Sequence, residues 1–212
     1  MSDLDSYIAI EGPIGVGKTS LAKMIADKLN ARKIFEDFKK NPFLEEFYED
    51  PENNALQTQI WFLLQRYQQQ KEIKQLDAFQ KGVVTDYMFE KDRLFAEFTL
   101  RSQAEFELYS SVADIFEKDI IKPDMVVYLQ AETPRLMKNI KQRGRDFEKG
   151  VTSAYINQVN EKYQEFFVNY DERPLLVINA NNIDFVNNSD DFDNLLEVIQ
   201  EPAQGRKYFN PS

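Results

Sequence analysis

Gly12-Pro13-Ile14-Gly15-Val16-Gly17-Lys18-Thr19 stands directly behind the apolar run Tyr7-Ile8-Ala9-Ile10. Its spacing is G-x-x-x-x-G-K-[ST], the phosphate-binding loop of nucleotide-hydrolysing and phosphoryl-transferring enzymes. The residue types follow from the ligand. A polyphosphate needs many N–H donors at close range, and glycines let the backbone curl tightly enough to aim them inward. Lys18 adds a mobile positive charge for the β- and γ-phosphates, and the Thr19 hydroxyl can ligate Mg²⁺. Beyond the loop, Ser20-Leu21-Ala22-Lys23-Met24-Ile25-Ala26 continues with helical spacing, so bound phosphate would sit at a helix N-terminus. Strand, loop, Lys-Thr and helix in that order separate this stretch from an inert glycine-rich turn. The loop and Ser20 are therefore expected to hold a nucleotide's phosphates.

Outward from the loop, strands are expected over residues 7–11, 31–36, 83–86, 125–129 and 175–179, alternating with amphipathic helices. That alternation predicts a three-layer α/β fold: a parallel sheet of about five strands, helices on both faces, and a short lid. The chain has 212 residues, 42% of them hydrophobic, enough for one core without staples. Residues 1–200 are read as one domain and 201–212 as a poorly ordered tail. A long helix is expected from residue 53 to about 79. Its many glutamines read as a mostly solvated face, although Gln57 and Trp61, one turn apart, could together meet a flat ligand.

Charge and missing residue types narrow the chemistry. A formal net charge of -10 argues against a nucleic acid polymer as partner. The chain has no cysteine and no histidine, so disulfides and thiolate chemistry are excluded. A general base must then be a carboxylate, Lys or Tyr. No signal peptide is read before Tyr7 and no apolar run is long enough for a membrane span, so a cytoplasmic enzyme with no membrane partner is expected. Ligands of open α/β sheets gather outside the carboxyl ends of the strands, where Glu36 and Asp86 fall. Asp86 is a candidate Mg²⁺ contact. The basic run Lys138, Lys141, Arg143, Gly144, Arg145 on an acidic chain reads as a lid that closes over phosphates.

In order, these motifs resemble the deoxynucleoside kinases, the family of deoxyadenosine, deoxyguanosine and deoxycytidine kinases, from Tyr7 to about Tyr170. The resemblance implies transfer of the γ-phosphate of ATP to the 5′-hydroxyl of a deoxynucleoside, with deoxyadenosine the first choice and a homodimer as the usual assembly. It implies that Glu36 is the base and that Lys18, Arg143 and Arg145 serve the transferred phosphoryl. It implies that Tyr48 and Glu148 hold the sugar 3′-hydroxyl, and that Gln57 and Asp92 read the base. Two departures stand out. The family's acid-Arg-Ser after the third strand is Asp86-Tyr87-Met88, so an arginine is missing, with Arg93 or another cation left to replace it. Leu64 stands where many members carry an arginine beside the acidic base-pocket residue. The rival readings are a nucleoside monophosphate kinase resembling thymidylate kinase, and a nucleotide-binding regulatory module without turnover. The first would need arginines at the acceptor end, where residues 36–48 offer acids and Lys39-Lys40.

Overall fold

The computed structural model describes residues 6–73, 82–202 and 204–211. β1 (Ser6–Glu11) runs into the phosphate loop and α1 (Lys18–Leu29). β2 (Arg32–Ile34), α2 (Leu44–Glu49), the long α3 (Pro51–Ile73) and β3 (Gly82–Thr85) follow. Next come α4 (Lys91–Thr99), α5 (Gln103–Glu117), β4 (Met125–Gln130) and α6 (Thr133–Arg143). The chain closes with α7 (Ser153–Asn169), β5 (Leu175–Asn179), α8 (Ser189–Gln200) and β6 (Arg206–Phe209).

Six strands form one parallel sheet in the order β2-β3-β1-β4-β5-β6. Both faces are covered, and the two-residue period of each strand shows why. Ile8, Ile10, Val127, Leu129, Leu176 and Ile178 turn to one face and pack with Leu21 and Ile25 of α1, Leu136 of α6 and Leu195 of α8. Tyr7, Ala9, Val126, Tyr128, Leu175 and Val177 turn to the other and pack with Tyr163 and Phe167 of α7. A third cluster, with Phe47, Phe62, Leu63 and Tyr109, joins α2, α3 and α5 at the flank of the sheet.

The three-layer parallel architecture agrees with the sequence reading, and the boundaries differ in informative places. The sheet has a sixth strand where the sequence suggested a poorly ordered tail. Beside its ladder with β5, β6 is held where Leu175 N donates to Gly205 O at 2.8 Å and where the Arg206 guanidinium donates to the carbonyls of Phe167 and Tyr170. Those carbonyls lie at the end of α7, which lacks later residues to satisfy them, so a single arginine closes the helix and anchors the strand. Pro51 opens α3, its missing N–H costing nothing at a first helical position. The expected extension of that helix over residues 74–79 lies outside the described residues. Residues 87–90 form turns, and α4 starts only at Lys91.

Candidate active site

The carboxyl ends of β1, β3 and β4 open into a cleft of about 690 Å³, within the usual range for a small-molecule site. Its floor is the phosphate loop. Gly15 (φ 89°) and Gly17 (φ 107°) lie in the left-handed region, and a Cβ on Gly15 would stand 2.8 Å from the Leu136 carbonyl. Gly17 caps α1, so Lys18, Thr19 and Ser20 form that helix's first turn and offer its unpaired N–H groups to an anion. Asn139 of α6 braces the loop by donating to Gly15 O at 2.8 Å. Glu11 binds it from below: its buried carboxylate accepts from Gly12 N, Met88 N and the Tyr163 hydroxyl. Ile14 through Ser20 line the cleft, and the carbonyls of Gly12 and Pro13 receive Lys18 Nζ at 2.6 and 3.2 Å. Burial, reinforced by the nearby Lys91 charge, lowers the Lys18 ammonium to about 8. Phosphate oxygens would replace the two carbonyls as its acceptors and favour the charged form further.

Asp86, at the exit of β3, ties the loop to the second strand. Its Oδ2 accepts from Thr19 Oγ1 at 2.5 Å and its Oδ1 from Glu36 N at 2.8 Å. A hydroxyl and a carboxylate held together at the phosphate seat are the hard oxygen donors Mg²⁺ takes when the phosphates supply the rest of its shell.

Glu36 follows β2 and enters the cleft with two cations on its carboxylate. The Arg66 guanidinium bonds Oε1, and Lys91 Nζ lies 3.5 Å from Oε2. Burial by itself would raise this carboxyl, but Arg66 and Lys91 outweigh it and hold it down at about 2. Glu36 is therefore ionised throughout the neutral range, as a proton acceptor must be.

Arg66 settles one departure noted from sequence. Leu64 is exposed, whereas Arg66, two residues on, is 4% exposed and bridges Glu36 to Asp92 of α4. Asp92 is thus paired, not free, and stands behind Arg66 instead of lining the cleft. Arg93 does not replace the arginine missing after Asp86, because it points outward to Glu117 and Asp114 of α5. Tyr87, in the missing arginine's position, is fully buried in the core.

Two further expectations are corrected on α3. Gln57 does not reach the cleft; its amide donates to Asn53 O and Asn54 Oδ1. Trp61 packs edge-on against Phe62 and does not line it either. The residues that do are Thr58, Gln59, Phe62 and Arg66. Gln59 is buried, with its Nε2 on Thr99 Oγ1 at 3.1 Å and its Oε1 available as an acceptor. The signal for these residues is in the sequence: Gln59, Arg66 and Gln70 recur at seven and four residues, one face of a helix. The two glutamines instead read with the mostly solvated face, and Arg66 is not singled out.

Tyr48 and Glu148, expected to hold the sugar, both line the cleft, with Phe147 stacked beside Tyr48 at 6.3 Å between ring centroids. Burial, with Tyr155 and Glu148 adding to it, pushes the Tyr48 hydroxyl well up, so it stays a neutral donor. Beyond α6 the chain turns at Gly144, and Arg145 lies over the Phe38 ring at 4.2 Å. Arg143 Nε donates to Glu148 Oε2 at 2.8 Å, and Arg145 lies 3.5 Å from Oε1. Glu148 thereby holds Arg143 and Arg145 at the cleft wall, which all three residues line.

A phosphate loop at the head of a parallel α/β sheet, an acid and a hydroxyl for a metal, an ionised carboxylate and an arginine lid define a phosphoryl-transferring kinase. The comparisons make the class specific. A family model described as Deoxynucleoside kinase matches residues 8–203. The chain is 35% identical over 202 residues to the deoxyguanosine kinase of Bacillus subtilis (strain 168), covering 92% of this chain and 96% of that one. It is 31% identical to the deoxyadenosine kinase of Dictyostelium discoideum, covering 97% and 82%. Among solved structures, deoxyadenosine kinase from M. mycoides, with the products dCMP and dCDP bound, superposes with a TM-score of 0.78 at 25% identity, over 92% of this chain and all of that one. The chain belongs to the deoxynucleoside kinase family. It is an ATP-dependent phosphotransferase.

Proposed function

We propose that the enzyme transfers the γ-phosphoryl group of Mg-ATP to the 5′-hydroxyl of a purine deoxynucleoside. The observation that carries the purine assignment is the Gln59, Arg66 and Asp92 group. Arg66 Nε and Asp92 Oδ2 are both buried without a partner among the described residues. Of the two, Arg66 lines the cleft, so its unpaired Nε is a donor beside an amide that offers both, while Asp92 holds the guanidinium from behind. Guanine presents O6 and N7 acceptors that suit an arginine, and adenine N6 and N7 suit an amide. The arginine moves deoxyguanosine ahead of deoxyadenosine, the first choice from sequence, and the Bacillus subtilis relative supports that order.

Glu36 takes the 5′-hydroxyl proton as the 5′-oxygen bonds to the γ-phosphorus. The bond from that phosphorus to the bridging oxygen breaks, and ADP leaves with its electron pair. Lys18, Arg143 and Arg145 meet the charge on the moving phosphoryl. Thr19 and Asp86 would hold Mg²⁺, which when bound neutralises the β- and γ-oxygens. Tyr48 and Glu148 fix the sugar. Acids at the acceptor end, Glu36 and Glu148, oppose a substrate that already carries a phosphate. We also place a homodimer contact on the exposed apolar residues Leu64 of α3 and Leu108 and Ile115 of α5, two helices that pack side by side.

A coupled ADP-release assay with Mg-ATP tests the reading against deoxyguanosine, deoxyadenosine, deoxycytidine, thymidine, dAMP and dTMP. The expected result is turnover on the two purine deoxynucleosides, with pyrimidines poorer and monophosphates inert. Preference for deoxycytidine or thymidine would overturn the purine assignment, and turnover on a monophosphate alone would overturn the acceptor. Light scattering on the same sample should give twice the 24.9 kDa chain mass; a monomer would remove the dimer contact.

A further inference from the structure

Lys91 is a buried cation that the reaction described so far does not use. It is 7% exposed, sits in the first turn of α4 and lines the cleft between Glu36, Asp86 and the phosphate loop. Its charge is felt on all three sides. It helps depress Lys18, opposes the rise that burial imposes on Asp86, and helps hold Glu36 down.

A counter-ion for Glu36 would be the plain explanation, but Arg66 already bonds that carboxylate. Lys91 reaches it only at 3.5 Å, and its underside rests against the Phe95 ring at 5.6 Å. Among the described residues no hydrogen bond accompanies that contact. An ammonium has three donors and a strong hydration demand. Burying one with its donors unsatisfied costs stability unless an acceptor arrives. The acceptors that arrive in this cleft are the 5′-oxygen, which must come within hydrogen-bond reach of Glu36, and the γ-phosphoryl seated by Lys18. Lys91, Glu36 and Lys18 line the same cleft, so both acceptors would enter beside the ammonium.

We propose that Lys91 is a catalytic cation that contacts the 5′-oxygen and the transferred γ-phosphoryl in the transition state, supplied from α4 one turn beyond the position where Tyr87 is committed to the core. Phosphoryl transfer spreads charge onto the entering oxygen and the equatorial oxygens, so a preplaced ammonium there acts mainly on the transition state. Loss of such a group lowers kcat and leaves KM nearly alone. The proposal rests on the deoxynucleoside kinase reading above.

The absence of cysteine from the chain allows a direct test. Lys91→Cys can be alkylated with bromoethylamine at that position alone, returning an ammonium on a side chain of nearly the same length. We expect K91C to lose about 10²-fold in kcat, as for removal of one oxyanion donor. The deoxynucleoside KM and the Kd for ATP should move by less than about threefold. Alkylation should recover kcat to within about tenfold of wild type. The proposal is overturned by a K91C that keeps wild-type kcat, by a loss confined to KM, or by alkylated enzyme that binds ATP yet stays slow. Should K91C not fold, Lys91→Arg decides: kcat within about tenfold of wild type supports a charge requirement, and a folded K91R slower than about 10²-fold overturns it. Failure of the underlying reading is distinguishable, because the wild-type enzyme would then be silent on every deoxynucleoside.

Discussion

Glu36→Gln should lower kcat by about 10³-fold, within the usual range for removal of a general base, while ATP binding by fluorescence titration stays close to wild type. The two readouts separate because Glu36 touches the loop only through its backbone N–H on Asp86, which the substitution keeps. The amide can still accept from the 5′-hydroxyl but cannot take its proton. A carboxyl held at about 2 in the free enzyme is a weak base, and that suits a loose transition state in which the proton departs late. The same value fixes the pH profile. Because kcat/KM reports the free enzyme, Glu36 should impose no acid limb on kcat/KM between about pH 5 and 8. Near-normal turnover in the amide variant would show that the base lies elsewhere.

Arg66→Met should be the most destabilising single substitution at the site. It leaves Asp92 (1% exposed side chain) and Glu36 without their shared guanidinium. Stranding a buried ion-pair partner costs about 3–5 kcal/mol, or roughly 10 °C in melting temperature for a chain of this size. The pH dependence of the loss has a definite sign. Glu36 is depressed in the folded state, so its contribution is present above the unfolded carboxyl range and is lost as pH falls toward about 2. In Arg66→Met, burial raises the same carboxyl, and acid relieves the stranded charge instead. The melting gap between wild type and variant should therefore narrow from pH 7 to pH 4. A gap that stays constant would mean that lost packing, not charge, dominates. Purine turnover should fall as well if Arg66 supplies the donor for the base, as proposed.

How far the sequence reached can be traced residue by residue. The phosphate loop is legible because a backbone that must aim N–H groups at phosphate has few ways of being encoded. The central strands are legible because a strand buried on both faces is apolar throughout, as in Met125–Gln130. Gln59 and Arg66 were hidden because a buried polar residue has the same letter as an exposed one. In a helix with glutamines on several faces, only the partners Thr99, Glu36 and Asp92 reveal which side is enclosed. Lys91 was hidden for a related reason: position 87, where a cation was sought, turns into the core, and the charge enters from the next helix. β6 depends on a bond between Arg206 and carbonyls some 36–39 residues earlier, which no local pattern announces.

Glu11 gives the cleft a property that neither substrate confers. One carboxylate fastens the start of the phosphate loop, the turn after β3 and the middle of α7, elements that belong to the donor side, the metal corner and the acceptor wall. The separation between the phosphate seat and Glu36 is consequently a dimension of the scaffold, fixed before anything binds.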